Sequence, residues 1–220
     1  MIDKLKELEE KGLLRDLKSL QQEGVFIKYK GKNYLNLSSN DYLGISGMTN
    51  LQKDFFEHLD TKPFIMGALS SRLLTGNHVC TEDLEHYLSG LYGKECLLYN
   101  SGYHANVGIL PALAGKGDLI VADKLVHASI IDGIKLCPCE MNRYKHNDYN
   151  DLERILEQAA GKYKSVYIVT ESIFSMDGDR ANLELLVEIK DRYGAKLYID
   201  EAHAFGVVGE SGLGCAQDKR

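Results

Sequence analysis

What the chain lacks narrows its chemistry first. No apolar run in its 220 residues approaches the roughly 20 needed to cross a bilayer. Its start, Met1-Ile2-Asp3-Lys4-Leu5-Lys6-Glu7-Leu8, alternates charge with Leu and carries no apolar signal core, so a cytoplasmic protein is expected. There is no CxxC among the five cysteines, and Cys137-Pro138-Cys139 is too tight for a usual zinc pair. Reduced structural thiols and no metal are the reading for Cys80, Cys96, Cys137, Cys139 and Cys215. No GxxxxGK[ST] loop is present, since the glycines and lysines of 90–95 and 108–116 have the wrong spacing. Asp200-Glu201-Ala202-His203 also spells the box of one helicase group, but there is no phosphate loop for it to serve. A GxGxxG dinucleotide turn is missing, and Gly209-Glu210-Ser211-Gly212-Leu213 misses a hydrolase GxSxG by one position. Basic excess is lacking too. A net charge of -6 with the signs interspersed disfavours nucleic acid or an anionic membrane as partner.

What is present is an ordinary globular composition, 44% hydrophobic and 26% charged, long enough to bury a sizeable core. Leu5, Leu8, Leu13, Leu14, Leu17 and Leu20 recur at roughly helical spacing, which predicts an amphipathic helix over 3–22, ended by Gly24. Residues 25–30 and 32–37 flank Gly31 as a hairpin. These elements form a candidate arm, 1–47. From about residue 48 the pattern changes. Helices are expected at 49–60, 79–92, 103–114, 127–136, 149–160 and 182–193, and apolar strands at 95–99, 119–123, 164–170 and 196–200. Helices alternating with fully apolar strands imply an α/β fold: a mostly parallel central sheet with helices on both faces, over 48–220. No internal repeat or low-complexity linker interrupts it.

Each expected strand ends in chemistry-bearing residues, and in a parallel sheet those ends share one edge, where ligands of open α/β sheets gather. The strand 196–200 ends at Asp200, followed by Glu201 and His203. An acidic pair there can also be only a solvated loop. Ser101-Gly102-Tyr103 stands where a strand turns into a helix, so its backbone amides could meet a phosphate, although glycine also serves ordinary turns. Asp200 could hold a protonated ring nitrogen and His203 a ring hydroxyl. His127 could lie on a flat ring, or merely be satisfied by backbone at a helix start. Ser175, in the turn that continues as Met176-Asp177-Gly178-Asp179, could donate to a phenolate oxygen. Together these describe a site for pyridoxal 5'-phosphate.

The chain also carries, in order, Asn36-Leu37-Ser38-Ser39-Asn40-Asp41-Tyr42-Leu43-Gly44, Ser71-Arg72-Leu73-Leu74-Thr75-Gly76-Asn77-His78, Tyr99-Asn100-Ser101-Gly102-Tyr103, His127-Ala128-Ser129, His146-Asn147-Asp148, Phe174-Ser175-Met176-Asp177-Gly178-Asp179 and Asp200-Glu201-Ala202-His203. In this order the motifs resemble the α-oxoamine synthases, fold-type-I pyridoxal-phosphate enzymes that join an amino acid to an acyl thioester with loss of carbon dioxide. The resemblance covers nearly the whole chain. It implies that Ser101, Gly102 and Tyr103 bind the cofactor phosphate, that His127 stacks on the ring and meets substrate, that Ser175 and His203 address the ring oxygen, and that Asp200 addresses the ring nitrogen. By the same resemblance Arg15 falls where the family places an arginine for the acyl substrate, with a surface helix arginine as the alternative. Asn40 and Ser71 would border the substrate site of a homodimer with a shared active site. The Ser71–His78 motif is most similar to the branch that condenses L-alanine with a pimeloyl thioester of CoA or acyl carrier protein. Other branches of the family use other amino acids and acyl groups.

The same resemblance implies a Schiff-base lysine beyond the Asp200–His203 motif and a further, smaller C-terminal domain. The sequence reaches Asp218-Lys219-Arg220 without that lysine turn, and Lys94, Lys116, Lys124 and Lys135 do not fit it. The expectation is an N-terminal portion that is inactive by itself. A non-catalytic binding or assembly subunit is the competing reading from another class.

Overall fold

The computed structural model describes residues 2–59 and 67–217. They fall into two compact units, Met1–Phe64 and Ile65–Arg220. The first opens with helix α1 (Ile2–Glu10), far shorter than the 3–22 expected from its leucines. The physical reason is Gly12, whose φ of 64° stops the helix; the amide of Leu13 then closes back on the Leu8 carbonyl at 2.8 Å. The expected hairpin acquires a third strand, so β1 (Gln21–Glu23), β2 (Phe26–Tyr29) and β3 (Lys32–Leu35) form an antiparallel meander. Lys30 (φ 48°) and Gly31 (φ 75°) supply the two left-handed residues of a tight hairpin turn between β2 and β3. A 3-10 turn, Ile45–Gly47, leads to α2 (Thr49–His58), and α2 goes with this first unit.

The second unit runs α3 (Val79–Tyr92), α4 (Gly102–Leu113), β4 (Leu119–Asp123), α5 (Ala128–Leu136), β5 (Glu140–Tyr144), α6 (Tyr149–Ala159), β6 (Val166–Glu171), α7 (Leu183–Tyr193) and β7 (Lys196–Asp200). Its four strands lie in the order β5-β4-β6-β7, every pairing parallel. Alternate residues of one strand enter different cores, as the strand period of two requires. Leu119 and Val121 pack with Leu152, Leu156, Leu186 and Ile189 of α6 and α7. Ile120 and Ala122 pack with Leu110, Ile130 and Ile134 of α4 and α5. Helices therefore cover both faces, and each fully buried aliphatic side chain contributes about 1.5–3 kcal/mol. The α4–α5 packing is close enough that a Cβ on Gly133 would come within 2.4 Å of the Asn106 carbonyl oxygen.

Two strand expectations are corrected. Residues 95–99 join no ladder among the described residues; there the Leu98 amide donates to Glu85 Oε1 (2.7 Å) and its carbonyl accepts from Arg72 (3.3 Å). An apolar run signals burial, and a ladder also needs a neighbouring strand. Conversely β5, Glu140-Met141-Asn142-Arg143-Tyr144, is a strand without an apolar run, because it is the sheet edge and only Tyr144 is buried. Among the described residues no helix is long and apolar enough to cross a membrane. Because the sheet is parallel, Asp123, Glu171 and Asp200 end their strands on one edge, with Glu171 directly opposite Asp200 in register.

Candidate active site

Asp200, half-buried at the end of β7, is reached by two uncharged donors. Asn106 Nδ2 approaches its Oδ2 at 2.9 Å and the Ala202 amide its Oδ1 at 2.9 Å. Asn106 is a buried residue of α4, and every polar atom of its side chain is used. The same Nδ2 donates to Ser129 Oγ (2.9 Å), and Oδ1 accepts from the Tyr198 hydroxyl (2.5 Å). Ser129 Oγ in turn lies 2.7 Å from His127 Nδ1, which also accepts the Ser129 amide at 3.2 Å. With Asn106 donating to Ser129 Oγ, the hydroxyl proton points to Nδ1, which leaves Nε2 as the N–H of the His127 ring. One hydrogen-bonded chain thus joins His127, Ser129, Asn106 and Asp200, and it runs from α5 across α4 to β7. Burial, then the Asp200 carboxylate, push the Tyr198 hydroxyl up to about 12, so it stays a donor.

Glu171 is a second carboxyl beside this chain, and the sequence reading gave it no role. Its Oε1 accepts the His127 amide at 2.5 Å. Burial, opposed by that amide and reinforced by Asp200 and Asp123, pushes it up to about 7. Asn106 was missed as well. The signal available in the sequence was position: Glu171 ends an apolar strand, as Asp200 does, and Asn106 lies one helical turn after Gly102.

At the start of α4, Ser101 is the N-cap, with Oγ accepting the His104 amide at 3.2 Å. The amides of Gly102 and Tyr103 precede the first intrahelical partner, and a Cβ at Gly102 would meet nothing within 4 Å. The Tyr103 hydroxyl is drawn aside to Asp132 Oδ2 at 3.1 Å. Ser175 is exposed in the turn after β6, and His203 is half-buried in the turn after β7. Glu201 parts company with its neighbour: its Oε1 accepts the amides of Cys215 (2.7 Å) and Ala216 (3.1 Å), so it ties down the following chain. Ser71 is exposed in a loop fixed by Arg72, whose guanidinium grips both oxygens of Glu85 at 2.8 Å. Arg72, then the Leu98 amide, hold the Glu85 carboxyl near 2. Arg15 and Asn40 belong to the first unit, both exposed, and Arg15 follows the end of α1 rather than riding on a helix.

The sequence model of the aminotransferase class I and II family matches residues 32–217. The chain belongs to this family. A curated relative, the 8-amino-7-oxononanoate synthase of Chlorobaculum parvum, is 50% identical over 201 residues, covering 89% of this chain and 51% of its own length. The structure of a serine palmitoyltransferase from S. paucimobilis with a bound PLP–myriocin aldimine superposes with a TM-score of 0.83 at 29% identity, over 99% of this chain and 55% of that one. The 8-amino-7-oxononanoate synthase of Francisella tularensis superposes with a TM-score of 0.63 at 34% identity, over 82% of this chain and 48% of its own. The chain spans about half the length of the curated relatives it matches. The family's fold type I large domain and its cofactor, pyridoxal 5'-phosphate, follow from these likenesses. The residues present fit that group: the open helix start at Gly102 suits a phosphate, and a carboxylate oriented by the uncharged donors Asn106 and Ala202 suits a cationic ring nitrogen.

Proposed function

We propose that the protein to which this chain belongs is an α-oxoamine synthase that condenses L-alanine with a pimeloyl thioester, of CoA or acyl carrier protein, to give 8-amino-7-oxononanoate for biotin biosynthesis. The hydrogen-bonded chain from His127 through Ser129 and Asn106 to Asp200, set beside an open helix start at Gly102, supports the pyridoxal-phosphate chemistry, and the likeness to curated 8-amino-7-oxononanoate synthases supports the choice of substrates. When bound, pyridoxal 5'-phosphate supplies an electron sink for a carbanion next to the substrate amino group. The amides of Gly102 and Tyr103, with Ser101, would bind the phosphate at the positive end of α4. Asp200, oriented by Asn106 and Ala202, would favour the protonated ring nitrogen. His127, positioned by Ser129 and by the grip of Glu171 on its amide, would stack on the ring. Ser175 and His203 would address the ring oxygen. In the reaction, the alanine α-carbon would lose a proton and bond to the acyl carbon, the thiolate would leave and take up a proton, and the α-carbon would lose carbon dioxide and take up a proton from solvent in its place. Arg15, Asn40 and Ser71 border the acyl and amino-acid sites of a cytoplasmic homodimer with a shared active site, in keeping with the family resemblance.

The loops at the carboxyl edge, 100–106, 124–129, 145–148, 171–180 and 200–206, contain two lysines, Lys124 just after β4 and Lys145 just after β5, both exposed. On this reading residues 1–220 form no covalent link to the cofactor and have no synthase activity by themselves. A borohydride-reducible cofactor adduct on residues 1–220 would overturn that part. For the activity, the full-length protein is supplied with L-alanine and pimeloyl-CoA or pimeloyl-acyl carrier protein, and the product is identified by mass. Formation of 8-amino-7-oxononanoate is expected, together with rescue of a biotin-requiring strain. Turnover only with serine and palmitoyl-CoA, or with glycine and acetyl-CoA, would move the protein to a sibling activity, and binding of substrates without turnover would favour an assembly role.

A further inference from the structure

The motif His146-Asn147-Asp148 has no part in the site as drawn so far, yet it touches the turn that carries Ser175. His146 lies between two carboxylates from different parts of the unit. Its Nδ1 is 2.9 Å from Oδ1 of Asp123, the fully buried last residue of β4, and its Nε2 is 2.6 Å from Oδ2 of Asp179 in the loop after β6. Asn147 repeats both contacts. Its amide donates to Asp123 Oδ2 at 3.0 Å, and its Nδ2 donates to Asp179 Oδ2 at 2.8 Å, from a left-handed backbone (φ 51°). The Phe174 ring stands edge-on to His146 with centroids 4.4 Å apart. The loop is a closed hairpin: Phe174 donates its amide to the Asp179 carbonyl (3.0 Å), and Gly178 to the Phe174 carbonyl (2.9 Å). Ser175 therefore sits in a turn whose base is pinned to the end of β4 through the His146 imidazole and Asn147.

We propose that His146 is a positioning residue: clamped by Asp123 and Asp179, it holds the Ser175 turn at the sheet edge, and the hold is complete only while both ring nitrogens carry protons. The role rests on the reading of Ser175 as the donor to the cofactor's ring oxygen. A ring with both nitrogens against carboxylate oxygens serves both only as the doubly protonated cation; the neutral ring can donate to one. Asp179 sharpens the demand, because its Oδ1 is buried with no hydrogen-bond partner among the described residues, so the contacts of His146 and Asn147 to its Oδ2 are what compensate the carboxylate. Among the described residues, the charged or titratable groups around the ring are Asp123 from β4, Asp179 from the loop and Glu171 from the end of β6, with the Tyr149 phenol of α6 close to Asp123 and Asp179. Burial opposes the charge on His146, but hydrogen bonds and attraction from Asp123 and Asp179 outweigh it, and its proton is lost only above the ordinary histidine range.

The test uses the full-length protein loaded with pyridoxal 5'-phosphate, with His146→Gln, Asp179→Asn, Ser175→Ala and the double variant His146→Gln/Ser175→Ala. The wild type is expected to show an alkaline change in cofactor absorption that His146→Gln lacks, with kcat/KM reduced about 10- to 100-fold, as for other supporting residues. His146→Gln added to Ser175→Ala should change the absorption no further. Amide exchange at Phe174 and Gly178, followed without cofactor, should quicken about tenfold in His146→Gln. If His146→Gln folds poorly, Asp179→Asn keeps an acceptor but removes the charge, and it should shift the same alkaline change downward. An unaltered alkaline change in both variants, or effects of His146→Gln and Ser175→Ala that simply add, would overturn the positioning role. Faster exchange in a protein that binds no pyridoxal 5'-phosphate would leave the clamp standing as structure, while the site reading and the positioning role built on it would both fall.

Discussion

β4 and β3 are strands of similar length with opposite fates: every residue of β4 is buried, and every residue of β3 is exposed. β4 lies between β5 and β6 and between two helical layers, so both of its faces are closed within the second unit. β3 is the edge of a three-stranded meander, and Tyr34 and Leu35 remain open to solvent, as do Leu17 and Leu37 nearby in the sequence. The lesson is where the stability of these residues resides. The parallel sheet is held by burial of apolar area, which scales with the surface removed from water. The meander is held by its ladder and turns, and two- or three-stranded antiparallel units without a covered face are marginal.

The largest effect should come from removing packing at the centre of the sheet. Ile168, fully buried on β6, packs in the α6–α7 cluster, so Ile168→Ala should destabilise the second unit by about 2–5 kcal/mol. A denaturant midpoint, read by a probe within the second unit, would measure it. An effect below about 1 kcal/mol would break the comparison, since it would place the sheet's stability elsewhere.

A smaller loss is expected where the core is polar. Asn106→Leu keeps the number and branching of the side-chain heavy atoms but removes both donors and the acceptor, leaving Ser129, Asp200 and the Tyr198 hydroxyl without that partner. The cost to stability should be about 1–3 kcal/mol. If Asp200 and His127 are the cofactor groups, affinity for pyridoxal 5'-phosphate in the full-length protein should fall about tenfold or more, because both lose their alignment. A variant that loses stability yet keeps cofactor affinity would separate the network from the site.

These residues also show how much was legible in the sequence. Fully apolar runs such as Leu119-Ile120-Val121-Ala122 declare a strand buried on both faces, so the α/β architecture and the shared carboxyl edge could be read directly. Motif order placed Ser101, Gly102, His127, Ser175, Asp200 and His203 around that edge. Edge geometry was not legible: β5 is polar because one side of an edge strand faces water, and 95–99 is apolar without a ladder. Nor does local sequence record which polar residues meet across long separations. Asn106 and Asp200 are 94 positions apart, and their contact exists only because α4 packs over β7. In Asp200-Glu201 the two carboxylates look alike in sequence, but one accepts from Asn106 at the edge and the other ties down Cys215 and Ala216.

Glu171 carries a pH-dependent prediction from the same buried edge. Its carboxyl is raised from 4.5 to about 7 in the folded chain, so the folded state binds a proton that the unfolded state has released. The stability linked to that proton is complete below about 4.5 and is lost as pH rises through about 7. Glu171→Gln imitates the neutral acid at all pH, so the wild type should lose stability relative to the variant across that interval. Parallel pH profiles of the two proteins would mean that Glu171 ionises normally and that burial at the edge does not govern it.

The smallest effect belongs to the meander. Leu35 on β3 is exposed, so Leu35→Ala removes little buried area and should change the stability of the chain by no more than about 0.5 kcal/mol. The β2–β3 ladder, which pairs Leu35 with Phe26, uses backbone groups that alanine retains. The measurement gains its meaning beside Ile168→Ala: both replace a branched aliphatic residue of a strand, and only one of them empties a core. A loss at Leu35 comparable with that at Ile168 would mean that β3 is covered in the protein in solution, and the contrast between the two strands would then describe this chain alone rather than the whole protein.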